Sequence, residues 1–175
     1  HRLMPDAPVM QLTVDGADLE HIGKSLLRGD NDYILLEEMR DAAAYRLALE
    51  ITSTGTMRSK ATIHDSSSVN IPYKMASKIK ERYGGDLPSI ISQVFRNFNY
   101  VFEFYQLPEN RAEKRLKGIS EYRYDPIADQ VSVHEICRYD PQKNIWRWKA
   151  DLMPPSSLDG VGYGKELKKM EEMLK

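Results

Sequence analysis

Leu26-Leu27-Arg28-Gly29-Asp30-Asn31-Asp32-Tyr33-Ile34-Leu35-Leu36-Glu37-Glu38-Met39-Arg40-Asp41 is the stretch on which the reading of this sequence turns. Tyr33 to Leu36 is a short apolar run ending in charge, which suits a buried parallel strand. Asp41 then stands where a helix N-cap would. It precedes the Ala-rich stretch Ala42 to Thr52, in which Ala44, Leu47, Ala48 and Ile51 share one face. The carboxyl end of a strand in an open α/β sheet opens onto the ligand crevice, so an acid there faces whatever is bound. Such a carboxylate can orient or deprotonate water for phosphoryl transfer. Many strands end in glutamate without any chemistry, so this segment decides nothing by itself.

Outward from it, Gly55 reads as a stop or turn, and a second short strand is predicted over Lys60 to Ile63. That strand leads into Ala61-Thr62-Ile63-His64-Asp65-Ser66-Ser67-Ser68, a histidine followed by a hydroxyl-rich loop. An imidazole so placed can hydrogen-bond a terminal phosphate. It can equally be a surface histidine ahead of a serine helix cap, and the residues leave both open. A helix is predicted from Ile71 to Tyr83, closed by Gly84-Gly85, and another starts near Pro88 with Ile90, Ile91, Val94 and Phe95 inward.

Beyond Asn97 the apolar period becomes two. Tyr100 to Phe104, Lys117 to Tyr124, Gln130 to Tyr139 and Ile145 to Trp148 read as strands, with Asp125-Pro126 and Asp140-Pro141 as turns. This is the pattern of an antiparallel meander. Trp146-Arg147-Trp148 is expected to present one packed and one solvated face rather than a base-stacking surface. Pro154-Pro155-Ser156-Ser157 then breaks the chain before a charged terminal helix, Lys165 to Lys175.

Taken together, the two chemistry-bearing segments resemble the type II/IV secretion-system ATPases. The shared order is a Leu27-Arg28 pair, the apolar strand, Glu38-Met39-Arg40-Asp41, the Ala-rich helix with Leu47 and Glu50, Thr54-Gly55, and Thr62-Ile63-His64. Glu37 stands where the family has glycine, adding a charge, and Met39 where it has isoleucine. The dense part of the resemblance covers residues 26 to 70. A looser likeness to the Flp/Tad pilus-assembly branch runs through Arg115-Leu116-Lys117-Gly118-Ile119-Ser120-Glu121.

The resemblance implies the C-terminal part of a RecA-like P-loop NTPase core over residues 1–97, followed by a β-meander and terminal helix over 98–175 packed on the same domain. It implies Glu38 as the Walker B glutamate and His64 as the histidine-box residue. It also implies Arg28, Arg40 and Thr62 as nucleotide-binding positions, with Mg²⁺ near Glu38. The parent would be a homo-hexamer that uses ATP to drive pilus assembly or protein export. It would be cytoplasmic, held at the inner face of the membrane by secretion or pilus platform proteins. Arg46 and Arg58 join Arg28 and Arg40 as candidates for phosphate or interface contacts.

No G-x-x-x-x-G-K-[ST] occurs. Gly23-Lys24-Ser25 imitates its end but precedes a helical Leu-Leu-Arg rather than following a strand. The expectation is therefore a truncated motor that neither hydrolyses nor tightly binds ATP alone. The alternatives are a non-catalytic assembly module and a degenerate ATPase relative.

The bulk composition fits a soluble globular domain. The 175 residues are 41% hydrophobic and 29% charged, with a formal net charge of −1. So balanced a charge gives no field favouring nucleic acid, and no direct nucleic-acid binding is expected. Cys137 is the single cysteine, which excludes an internal disulfide and a cysteine-based zinc site, and it reads as a buried strand residue. The four histidines lack metal-ligand spacing.

Overall fold

The computed structural model describes residues 18–149 apart from 30, 32 and 55–58. The predicted break at Pro154 to Ser157, the terminal helix, Gly55 and Arg58 lie outside the described residues. The chain is mixed α/β, with helices followed by an antiparallel meander. Its described residues form two compact units. One comprises residues 18–65 and Pro72–Asn97. The other comprises Ser66–Ile71 and residues 98–149.

The first unit carries α1 (Leu19–Arg28), β1 (Leu35–Leu36), α2 (Ala42–Ser53), β2 (Lys60–Ala61), most of α3 (Ile71–Tyr83) and α4 (Leu87–Asn97). Helix α2 begins where the sequence placed it, with the Asp41 carboxylate accepting from the Ala44 amide at 2.9 Å. Helix α3 ends at Gly84 and Gly85, whose φ angles of 76° and 101° suit residues without a Cβ. The core joins Ile34, Leu47 and Ile51, with Leu19, Leu26 and Leu36 packed against them. Tyr45, Met75 and Val94 are also fully buried.

Of helix α1, only the end, Leu26-Leu27-Arg28, was expected to be helical. Leu19, Ile22 and Leu26 nevertheless recur at helical spacing. Gly23 sits in the middle of α1, and a Cβ there would lie 2.5 Å from Leu47 Cδ1. The glycine thus serves a close approach of α1 to α2. Gly23-Lys24-Ser25 is helix interior, and its amides are not presented as a phosphate cradle.

Strands β1 and β2 pair in parallel but are shorter than predicted. Lys60 N donates to Ile34 O and Thr62 N to Leu36 O, and the ladder takes in the last two residues of the first predicted strand and the first two of the second. Glu37 bends the chain away, and Met39 N then returns to Thr62 O at 2.8 Å.

The second unit is a four-stranded antiparallel sheet in the order β3 (Tyr100–Gln106), β4 (Lys114–Asp125), β5 (Gln130–Asp140) and β6 (Ile145–Trp148). The aspartates at the two later turns do what their position suggested. Asp125 accepts from the Ile127 and Ala128 amides, and Asp140 from those of Gln142 and Lys143. Cys137 is buried on β5, as its alternating surroundings implied.

Strand β6 corrects an expectation. Every one of its residues is exposed, Trp148 to 57%, and the Trp146 ring meets only the rings of Tyr139 and Trp148 on its face rather than a buried layer among the described residues. The register aligns Phe102, Ile119, Cys137 and Trp148 across the sheet.

The other face of the sheet holds the Ser66–Ile71 segment. Ser68 N donates to Glu103 Oε1 at 3.4 Å, and the buried Tyr122 hydroxyl donates to Ser68 O. Arg138 closes this group, donating to Glu103 Oε2 at 3.2 Å and to Glu135.

A candidate carboxylate–imidazole site

The chain leaves β1 at Leu36 and reaches the N-cap of α2 at Asp41, so Glu38 and Arg40 lie in a short strand-to-helix link. That link is pinned by the Met39 amide bond to Thr62 and by the burial of the Met39 side chain. Thr62 occupies the equivalent place after β2. Its amide and carbonyl bond to Leu36 and Met39, respectively, which ties the two strand ends together. Both acid and histidine therefore emerge at the carboxyl ends of parallel strands, the side of an α/β sheet where ligands collect.

The two side chains meet. His64 Nε2 lies 3.3 Å from Glu38 Oε1, while Arg40 Nη2 donates to Glu38 Oε2 at 2.5 Å. Each carboxylate oxygen faces a different basic group. The Arg40 hydrogen bond holds the Glu38 carboxyl below the usual glutamate range, with smaller help from the charges of Arg40 and His64 against a modest desolvation. The same bond raises Arg40. Glu38 is thus an ionised acceptor at neutral pH, suited to orienting a water and poorly suited to removing its proton.

The side chains of Arg40 and His64 are 79% and 85% exposed, so both can turn toward an incoming anion. A second layer comes from α3. Lys74 Nζ donates to His64 O at 2.6 Å and pairs with Asp65 at 3.2 Å.

Of the positions the sequence singled out, Glu38, Arg40 and His64 come together in side-chain contact. Thr62 belongs to the group through its backbone, with its side chain exposed. Arg28 ends α1 and is not drawn into the cluster among the described residues. Arg46 pairs with Glu50 along α2 and stacks over Tyr83, 4.7 Å from the ring centroid.

Lys74 and Asp65 were given no role by the sequence. The one available signal was a lysine in the first turn of a helix, where the dipole disfavours a cation that lacks an anionic partner.

The fit to ATP and Mg²⁺ is one-sided. Arg40 and His64 are donors that suit phosphate oxygens, and Glu38 suits a water. Among the described residues no group of three or more acidic, histidine or cysteine side chains could hold a metal ion, and no backbone cradle for phosphates is present in α1. A single carboxylate fits a Mg²⁺ ion that is held mainly by phosphates and water. No helix among the described residues is long and apolar enough to cross a membrane. No protein-family model matches the chain, and no curated protein matches it at a significant level.

Proposed function

We propose that Glu38, Arg40 and His64 form the water-orienting and phosphate-sensing corner of a RecA-like ATPase of the secretion or pilus-assembly kind. The observation that carries this reading is the 3.3 Å approach of His64 Nε2 to Glu38 Oε1 at the carboxyl ends of two parallel strands. Bound nucleotide supplies the phosphoryl group. The chain's own residues do the rest of the work at this corner. The Glu38 carboxylate accepts a hydrogen bond from the attacking water and keeps its lone pair aimed. Arg40 and His64 hold negative charge in front of it, and their exposure lets them exchange Glu38 for a phosphate oxygen.

On this reading the β- and γ-phosphates are cradled by residues other than 18–149, and the protein works within a homo-hexameric parent. That parent couples turnover to pilus assembly or export at the inner face of a membrane, through platform proteins. The chain described here would neither turn over nor hold nucleotide tightly by itself.

The test is steady-state ATP hydrolysis by the hexameric parent carrying E38Q or H64A. Removing a catalytic carboxylate or a charge-stabilising donor in such a site lowers kcat by about 10²–10³-fold. E38Q and H64A proteins that both hydrolyse ATP at the unmodified rate would overturn the assignment.

A further inference from the structure

We infer that Lys74 is a positioning residue, whose grip on the backbone at His64 and Asp65 sets the imidazole against Glu38. This rests on the reading of Glu38 and His64 as one site. The geometry makes the case. His64 is 85% exposed, and its ring has Glu38 as its recorded polar partner among the described residues. A surface imidazole with one long contact does not hold itself in place, since side-chain freedom outweighs a solvent-exposed contact of this kind. Its position has to come from the backbone.

Upstream, that backbone is fixed at Thr62, which bonds to Leu36 and Met39. Downstream, the Lys74 ammonium takes the His64 carbonyl at 2.6 Å. Asp65 pairs with the same ammonium at 3.2 Å, its side chain 11% exposed although its backbone is open to solvent. Lys74 projects from the first turn of α3 and therefore ties the loop to a rigid element.

A lysine 40% exposed and paired with one carboxylate contributes little to stability. Its consequence is geometric. Without it, the His64 carbonyl loses its tie to α3 and the ring loses its register with Glu38.

The experiment is carried out on this full 175-residue chain, without nucleotide, by NMR of ¹⁵N,¹³C-labelled protein. The wild type is expected to show His64 with its Nε2 proton facing Glu38 and a cross-peak between the two side chains. E38Q, in which the imidazole partner is no longer a carboxylate, marks the shift that belongs to this contact. K74M is expected to lose the cross-peak and move the His64 ring ¹⁵N signals toward a mixture of tautomers, while the thermal midpoint stays within error. K74R, which keeps a cationic donor, restores both signatures, and K74Q replaces K74M if the latter fails to fold. An unchanged His64 ring in folded K74M or K74Q would overturn the proposal. So would loss of the cross-peak in K74R to the same degree. Neither readout depends on ATP hydrolysis, so an inactive parent would sink the functional reading and leave this one standing.

Discussion

The two units treat charge in opposite ways. In the first, the polar cluster of Glu38, Arg40 and His64 stands on a two-residue parallel ladder and opens to solvent. In the second, Glu103 and Arg138 are half enclosed on a sheet whose strands run to 12 residues, and they hold another part of the chain. Exposed charges contribute little to stability and are free to change partners. Enclosed ones are costly to strand and therefore fix structure. On the function proposed above, chemistry falls to the first unit and architecture to the second.

The largest effect that could break this comparison comes from the core. Ile51 is 1% exposed within the Ile34–Leu47 cluster, and I51A should destabilise the first unit by about 3 kcal/mol. The two tryptophans, Trp146 and Trp148, both lie on β6, so their fluorescence reports the sheet alone, while far-UV dichroism at 222 nm reports the helices. In urea the helical transition should move to lower concentration and the tryptophan transition should stay. If both move together, the units unfold as one block and the contrast drawn above fails.

A smaller and opposite effect is expected from E103A. It removes the acceptor of the Ser68 amide and one of the two carboxylates on the Arg138 guanidinium, leaving Glu135, at a cost of about 2 kcal/mol. Here the tryptophan transition should move and the helical one should not. Burial tends to raise the Glu103 carboxyl, but hydrogen bonds from Ser68 and Arg138 outweigh it and leave the group below its ordinary value. A depressed carboxyl contributes stability that is present above the ordinary glutamate range and lost as pH falls through the folded value. The acid limb of the sheet's stability should therefore flatten in E103A, and an unchanged limb would assign the anchor elsewhere.

Smaller still is an alkaline effect. Burial, reinforced by the Glu121 charge, pushes the Tyr100 hydroxyl up to about 12. A raised pKa gives stability that is full below the ordinary tyrosine value of about 10 and is lost as pH climbs toward 12. Y100F should remove that slope from the sheet's unfolding curve, and a slope that persists would exclude Tyr100 as its source. The least effect on stability belongs to E38Q, whose thermal midpoint should match that of the unmodified chain even where hydrolysis by the parent is lost. A clear drop in that midpoint would make Glu38 architectural too.

Much of this arrangement could be read from local chemistry. Helix α3 spans the residues the sequence placed in it, and it ends where Gly84 and Gly85 take the positive φ angles that close a helix. The meander followed from its period of two and from the aspartates that cap its turns. The meeting of Glu38 and His64 was legible only by joining two segments through resemblance, since neither segment specifies a partner in its own pattern. The start of α1 was not read as helix, and the reason for the glycine inside it, the Leu47 side chain against it, is set by tertiary placement. Lys74 and Ser68 escaped because their partners are set by tertiary placement, 10 residues away for Lys74 and His64, and 35 and 54 residues away for Ser68 with Glu103 and Tyr122. No local propensity records such distances.

The Ser66–Ile71 segment has a consequence for how the protein is made. It belongs with strands that are translated after it, and its buried partner Tyr122 lies 54 residues downstream. At roughly 5–20 residues per second, Ser68 leaves the ribosome ~3–11 s before the hydroxyl that will hold it. During that interval α3 can form, but the sheet that receives the segment does not yet exist. Synthesis therefore imposes an order in which the helical part matures first. A cut at residue 97 would produce two pieces, one carrying the segment and the other carrying the place where it fits.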